Sequence, residues 1–258
     1  MEILYKNQLD TTTQLDIASG TLTQENIFTR DQKMQYYTSG YNDDATTASI
    51  TINFDQTTSI DRIALLETNW KDFTVFYDGT TANTFALTST GSTITSDFSN
   101  NSETSLYMAA TTVNCTSVTF DILSTQIANS EKAVGMVVLS SKLYDFDKIP
   151  SSKGYKPTIV PDEVEHKMAD GGRRIQRTTN KFRGSIKLKY ISESFRNNLY
   201  DLWNDADDFI FVGFATMASW DEVLYEVVWP GKFDFFTYSD DAVATGFSGT
   251  INLREITK

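Results

Sequence analysis

The chain has almost none of the residue types on which catalysis and metal binding most often rest. Its 258 residues include one cysteine, Cys115, and one histidine, His166. A single cysteine closes no disulfide within the chain. It also excludes a cysteine-based zinc or iron–sulfur site, and one histidine excludes a multi-histidine centre. Cys115 follows Val113 by two positions in a strand-like stretch and reads as a small buried hydrophobe. His166 stands in Glu163-Val164-Glu165-His166-Lys167, and no Gly-x-Ser-x-Gly elbow occurs. A solvent-facing histidine is expected there rather than a catalytic base. Neither Gly-x-x-x-x-Gly-Lys-Ser/Thr nor Gly-x-Gly-x-x-Gly is present, so nucleotide binding has no support. No apolar run approaches the length of a membrane span. The opening Met-Glu-Ile-Leu-Tyr-Lys-Asn lacks the basic start and apolar stretch of a signal peptide. A soluble, non-enzymatic protein made in a cytoplasm, without cofactor or metal, is expected.

Basic residues are also scarce. Lys and Arg number 22 against 34 Asp and Glu, a net charge of −12. A chain this acidic repels a phosphate backbone, so nucleic acid is not an expected partner. The imbalance is uneven. Residues 1–150 hold 8 basic against 18 acidic residues, a net of −10, and residues 151–258 hold 14 against 16, a net of −2. Proline is rare too, and three of the four, Pro150, Pro157 and Pro161, fall together. Proline stiffens extended backbone and does not continue a helix. The expected organisation is therefore a β-sandwich over 1–146, a linker or arm over 147–170, and a second β domain over 171–258.

What the chain does have is aromatic residues and threonine: 17 Phe, 12 Tyr, and Thr throughout the first half. These fit a pleated, half-buried surface. Alternation predicts strands over Ala48–Phe54, Ile60–Leu66, Lys71–Tyr77, Thr84–Leu87, Ser105–Met108, Ser117–Ile122 and Val134–Leu143. Asp55–Ser59 reads as a turn, and Asp78-Gly79 as a hairpin turn whose residues tolerate positive φ. Short strands between polar turns predict an antiparallel sandwich. In the second half, strands are expected over Ile175–Arg183, Gly184–Ile191, Phe209–Phe214, Glu222–Trp229, Lys232–Tyr238 and Thr245–Ile256. One helix is expected, capped by Ser192 or Ser194, with Phe195, Leu199, Leu202 and Trp203 on one face.

From Glu25 to Leu143 the order is Asn26-Ile27, then Tyr36-Tyr37-Thr38-Ser39-Gly40, the strand Ile50-Thr51-Ile52-Asn53-Phe54, the strand Ile60 to Leu65, a loop with Asn69, Phe73-Thr74-Val75, and a closing strand Ala133 to Leu139. It resembles the galactose-binding-like, or discoidin-like, jelly-roll family, though the flanking cysteines of its extracellular versions are absent. In the second half, Arg183-Gly184-Ser185-Ile186-Lys187-Leu188-Lys189-Tyr190, Leu199-Tyr200-Asp201-Leu202-Trp203, Leu224-Tyr225-Glu226-Val227 and Phe247-Ser248-Gly249-Thr250-Ile251-Asn252-Leu253 carry a second resemblance. That stretch is similar to the tail-tube and distal tail (baseplate hub) proteins of long-tailed bacteriophages, although these place the hub domain first. The resemblances imply a mainly β fold, a jelly-roll sandwich followed by a tail-hub-like β-sandwich or α+β domain with one helix.

Candidate functional residues follow. Tyr36, Tyr37, Tyr41, Asn42, Asn69 and Trp70 offer aromatic faces and amides to a sugar, or else fill the sandwich core and its end. Lys167–Lys189 carries eight basic residues against Asp170 alone. It reads as an exposed charged hairpin, and Arg173, Arg174, Arg177, Lys181 and Arg183 as a docking surface for an acidic neighbour. Asp43-Asp44, Asp145/Asp147 and Asp205/Asp207/Asp208 read as solvated turns, and the last lacks the Gly and distal Glu of a calcium loop. The leading expectation is a structural virion protein of a phage tail or baseplate. It would form a homo-oligomeric ring, a hexamer or trimer, through its second domain. Its partners would be other tail proteins or a host glycan. The alternative is a carbohydrate-binding module with an accessory β domain.

Overall fold

The computed structural model describes residues 1–5, 7–9, 14–17, 27, 36–38, 42–89, 92–94, 97–145, 154–167, 173–205, 208–213, 224–241 and 244–256. Contacts divide the chain into two compact units, Glu2–Asp145 forming the body of the first and Phe146–Phe211 with Leu224–Thr257 the body of the second. The protein is mainly β, as its alternating apolar residues lead one to expect.

The first unit contains β1 (Glu2–Leu4), β2 (Gln14–Ile17), β3 (Tyr36–Tyr37), β4 (Ala48–Leu66), β5 (Trp70–Tyr77), β6 (Leu87–Ser89), β7 (Ser92–Ile94), β8 (Asp97–Phe98), β9 (Leu106–Thr125), β10 (Ala133–Val134), β11 (Met136–Ser140) and β12 (Lys142–Asp145). Two of these strands build both layers. β4 has 19 residues and β9 has 20, and they pair antiparallel almost end to end. The register shifts between Asn53 and Thr58, where Asp55, Gln56 and Thr57 are exposed. A shift of this kind bends and twists a strand pair. The half of β4 before the bend carries β2 and, through β9, β5 and β8; the half after it carries β11 and, through β9, β6 and β7. The inner faces meet in one core cluster that includes Ile50, Ile52, Phe73, Val118 and Phe120 with Ile60, Leu65, Met108, Val137 and Leu139. The expected turn at Asp55–Ser59 is thus corrected. The chain stays extended there, and its polar residues face water at the outside of the bend. Asp78 and Gly79 do take positive φ, 52° and 65°, and an antiparallel bridge joins Phe76 to Thr84 beyond them.

β1 pairs with β12, and Glu2 is fixed by charge. Its carboxylate accepts from Arg62 Nε at 2.7 Å and Nη2 at 3.2 Å, and from the Tyr107 hydroxyl. Arg62 is 7% exposed. Burial alone would raise the Glu2 pKa, but the Arg62 and Tyr107 hydrogen bonds outweigh it and hold the carboxyl below its ordinary value.

The second unit contains β13 (Tyr155–Lys167), β14 (Arg173–Ile191), α1 (Glu193–Asp205), β15 (Phe209–Val212), β16 (Leu224–Val228), β17 (Thr237–Asp241) and β18 (Ala244–Glu255). Its strands run β15-β16-β18-β14-β13, with β17 on β18. Three expectations change. Residues 155–167, assigned to a linker or arm, form a strand paired with β14. Pro157 and Pro161 are tolerated because β13 is an edge strand, with one side free of ladder bonds. The two strands expected to divide at Gly184 are one. Gly184 is needed for packing, since a Cβ there would lie 2.8 Å from the Phe182 ring. Lys232–Phe236 is not a strand: Phe233 and Phe235 turn into an aromatic cluster with Trp229, while Asp234 accepts the Thr250 amide at 2.9 Å. Ser192 is the helix cap, its Oγ accepting the Phe195 amide at 3.2 Å. Phe195 and Leu199 are the buried residues of the helix face.

Glu2→Gln is expected to destabilise the first unit by about 3 kcal/mol near neutral pH, because it leaves Arg62 only the more distant Asp61 carboxylate, 3.5 Å from Nη1. A depressed native carboxylate pKa stabilises above the unfolded value and is lost as pH falls through the native one. Urea unfolding of wild type and variant should therefore converge as pH drops below the ordinary Glu value of 4.5. A gap that is constant with pH would contradict the assignment.

Candidate functional site

One end of the first sandwich is a platform of loops that bond chiefly to one another. They are residues 42–47 before β4, Glu67–Asn69 between β4 and β5, Asn100–Thr104 before β9, and Gln126–Lys132 after it. Lys132 is the pivot. It is fully buried, and its Nζ donates to the carbonyls of Asp43 at 2.9 Å and Thr46 at 3.0 Å. Its backbone exchanges bonds with Thr38, the Thr38 amide donating to its carbonyl at 2.9 Å. Burial lowers the Lys132 pKa, while the neighbouring Asp43 and Asp44 charges work to raise it. Asp43 in turn accepts the amides of Ala45 at 2.9 Å and Thr46 at 2.5 Å. Hydrogen bonding to Thr46 and Ala45 keeps its carboxyl below the usual range.

Asp44 ties the first loop to the last. Its carboxylate accepts the Thr125 amide at 3.2 Å and the Asn129 amide at 3.3 Å. Thr125 Oγ1 donates to the Ile127 carbonyl at 2.7 Å, and Asn129 takes a positive φ of 58° to close the turn. Asn101 Nδ2 donates to the Trp70 carbonyl at 2.7 Å, and Gln126 Nε2 to the Glu103 carbonyl at 3.0 Å. Such mutual satisfaction fixes loop backbone without a ligand. Ile127 stands 76% exposed above it, and Asn42, Asn129, Glu103 and Glu131 are exposed around it.

Two of the residues expected to meet a sugar do not point outward. Tyr36 and Trp70 are fully buried. Trp70 lies 5.6 Å from Phe73 and 5.7 Å from Phe120, within the core cluster, and its indole N–H has no hydrogen-bond partner among the described residues. Burial pushes the Tyr36 hydroxyl up to about 12. Both are strand residues facing the sandwich interior, so they are core aromatics and not a stacking surface. Asn69 is half-buried and already engaged: Nδ2 donates to the Glu131 carbonyl and Oδ1 accepts the Ala133 amide, each at 2.8 Å. It braces the platform. Tyr37 is half-buried on β3, Asn42 is exposed, and Tyr41 lies outside the described residues. Lys132, Asn101 and Ile127 were not singled out from the sequence, and Asp44, read as part of a solvated turn, bonds to the Thr125 and Asn129 amides. The available signal was a lone lysine ahead of an apolar strand in a half where acids outnumber bases, with Asp43-Asp44 as its counterpart.

On the second unit, Arg173, Arg174 and Arg177 sit on β14 opposite Lys167, His166 and Glu163. Their backbone positions are described and their side chains are not. Lys181 is half-buried and Arg183 exposed. Among the described residues no group of three or more His, Cys, Asp or Glu is placed to hold a metal ion. No described helix is long and apolar enough to cross a membrane.

Lys132→Met is expected to destabilise the first unit by about 3 kcal/mol, since two loop carbonyls and two nearby carboxylates lose a buried cation. Hydrogen exchange should rise at Thr46 and Asn129 before it rises in β4. Unchanged protection in both loops would show that Lys132 is not the pivot.

No family model matches the sequence, and no curated protein matches it. Among solved structures the chain is similar to chitosan-binding module 1 from a chitosanase/glucanase of Paenibacillus sp. IK-5. The identity is 10%, the TM-score 0.40, and the coverage 53% of this chain and 99% of that one. It is also similar to the family 32 carbohydrate-binding module of C. perfringens NanJ, solved in complex with galactose, at 8% identity and TM-score 0.39, over 55% of this chain and 100% of that one. A third is the Ruminococcus gnavus GH29 fucosidase, at 10% identity and TM-score 0.42, over 56% of this chain and 28% of that one.

Proposed function

We propose that this protein is a non-catalytic carbohydrate-binding protein whose first unit holds the sugar on the loop platform built around Lys132. The observation that carries this reading is pre-organisation. Four loops are locked by Lys132, Asp44, Asn69 and Asn101, yet the exposed rim keeps Ile127 and the Asn42 amide available. A sugar ring has an apolar C–H face, which Ile127 can cover. It also has hydroxyls that donate and accept at once, which planar amides match. A surface fixed before binding has less ordering entropy to lose. Asp43, Asp44, Glu103 and Glu131 make the rim negative, so the fitting ligand is a neutral or amino sugar and not a uronate.

A second reading makes the chain a structural component of a phage tail or baseplate, located in the virion, whose second unit builds a ring. One observation favours it. Among the described residues β18 pairs with β14 only from Arg183 onward, so the stretch from Arg173 to Lys181 pairs with β13 alone. A two-stranded ribbon is marginal in water without further packing, and a neighbouring subunit would supply it.

Calorimetry against neutral, amino and acidic oligosaccharides tests the first reading. Binding of a neutral or amino sugar is expected, weakened about tenfold in Ile127→Asp and Asn42→Ala with the fold intact. Binding of none of them, or equal binding by both variants, would sink it. Mass photometry tests the second: rings of fixed order support it, and a monomer at micromolar concentration counts against it.

A further inference from the structure

We propose that the second unit carries an oxyanion-binding site between Arg183 and Arg254. The two arginines are direct cross-strand partners, Arg183 on β14 facing Arg254 on β18. Both are exposed. Like charges placed directly opposite on a sheet repel and destabilise the pair. A carboxylate would relieve such a pair, and this chain has an excess of them, 34 against 22 basic residues. Yet neither guanidinium has a hydrogen-bond or ion-pair partner among the described residues. The nearest acid in sequence, Glu255, is committed elsewhere: its Oε2 accepts the Phe182 amide at 2.6 Å.

The two arginines line one cleft of about 320 Å³ together with Gly184, Pro230, Asn252 and Leu253. No carboxylate of the described residues lines it. Its chemistry is specific: two guanidinium groups for charge, the Asn252 amide as a further donor, and Pro230 and Leu253 as an apolar wall. Planar guanidinium forks match the paired oxygens of a carboxylate, phosphate or sulfate group. A volume of this order holds such a group with a small organic body attached. The apparent defect, two facing cations without relief, becomes favourable once an oxyanion sits between them. The site is independent of the sugar platform, which belongs to the other unit.

The test is calorimetry and thermal melting of the full chain with sodium phosphate, sodium sulfate and sodium malonate, each compared with chloride at equal ionic strength. At least one oxyanion is expected to bind and raise the melting temperature. Malonate against phosphate separates a carboxylate source from a phosphoryl or sulfuryl one. Arg183→Gln and Arg254→Gln should each weaken binding about tenfold, while Lys71→Gln on the first unit leaves it unchanged. In oxyanion-free buffer of low ionic strength both arginine variants should melt at or above wild type, because a repulsion has been removed. Saturation by none of the three anions, or an unchanged response in Arg254→Gln, would overturn the proposal.

Discussion

The first unit depends on the bend in one antiparallel ribbon. β4 and β9 are each long enough to serve both layers, and where they bend decides which residues meet. Ahead of the bend Ile50 and Ile52 face Phe120 and Val118; beyond it Ile60 and Leu65 join Met108 and Cys115. β2, β5, β6 and β11 add directly to a flank of this ribbon, and β8 and β7 extend it through β5 and β6. Its polar stretch, Asp55 to Thr57, supplies no core contacts. It matters because water-facing residues let the backbone turn outward there without exposing apolar surface.

Two buried cations then fix what the ribbon leaves loose. Arg62 draws Glu2 onto the sandwich, and Lys132 gathers the loops at one end. Both are held by oxygen atoms on segments distant in sequence, and both sit where burial makes an unmatched charge costly. They differ in what they hold. Arg62 answers a carboxylate and secures a strand. Lys132 answers carbonyls and secures the shape of a loop surface. On the second unit one pair of arginines follows the opposite rule. Arg183 and Arg254 remain exposed and unanswered, so their charge is available to something outside the chain.

The sequence revealed alternation better than continuity. Ile50 and Ile52 showed a strand face, and Ser192 with Phe195 and Leu199 showed a capped helix, because each signal is local. Three things were not local. Asp55 to Ser59 has turn composition, and the pairing of Asn53 and Thr58 with β9 on either side of the bend holds it in the strand. Pro157 and Pro161 suggested a linker, and only the edge position of β13 makes them compatible with a strand. Trp70 and Tyr36 looked available to a ligand because neither direction nor depth is encoded in residue type. Lys132 is the hardest case. Lysine is almost never fully buried without a partner, and its carbonyl partners on Asp43 and Thr46 lie more than eighty positions away in the chain.

The pairing of Glu2–Leu4 with Lys142–Asp145 also sets an order of events during synthesis. The residues that open this unit are made well before their strand partners, which are among its last residues. Glu2 meets Arg62 early, but β1 has no ladder with β12 until the chain has been made through Asp145. Long-range pairing of this kind is slow, because loop closure must precede the contacts that stabilise it. Until then the edge that β1 will cover stays open, and a nascent chain in that interval is the form most exposed to chaperones and to its own neighbours.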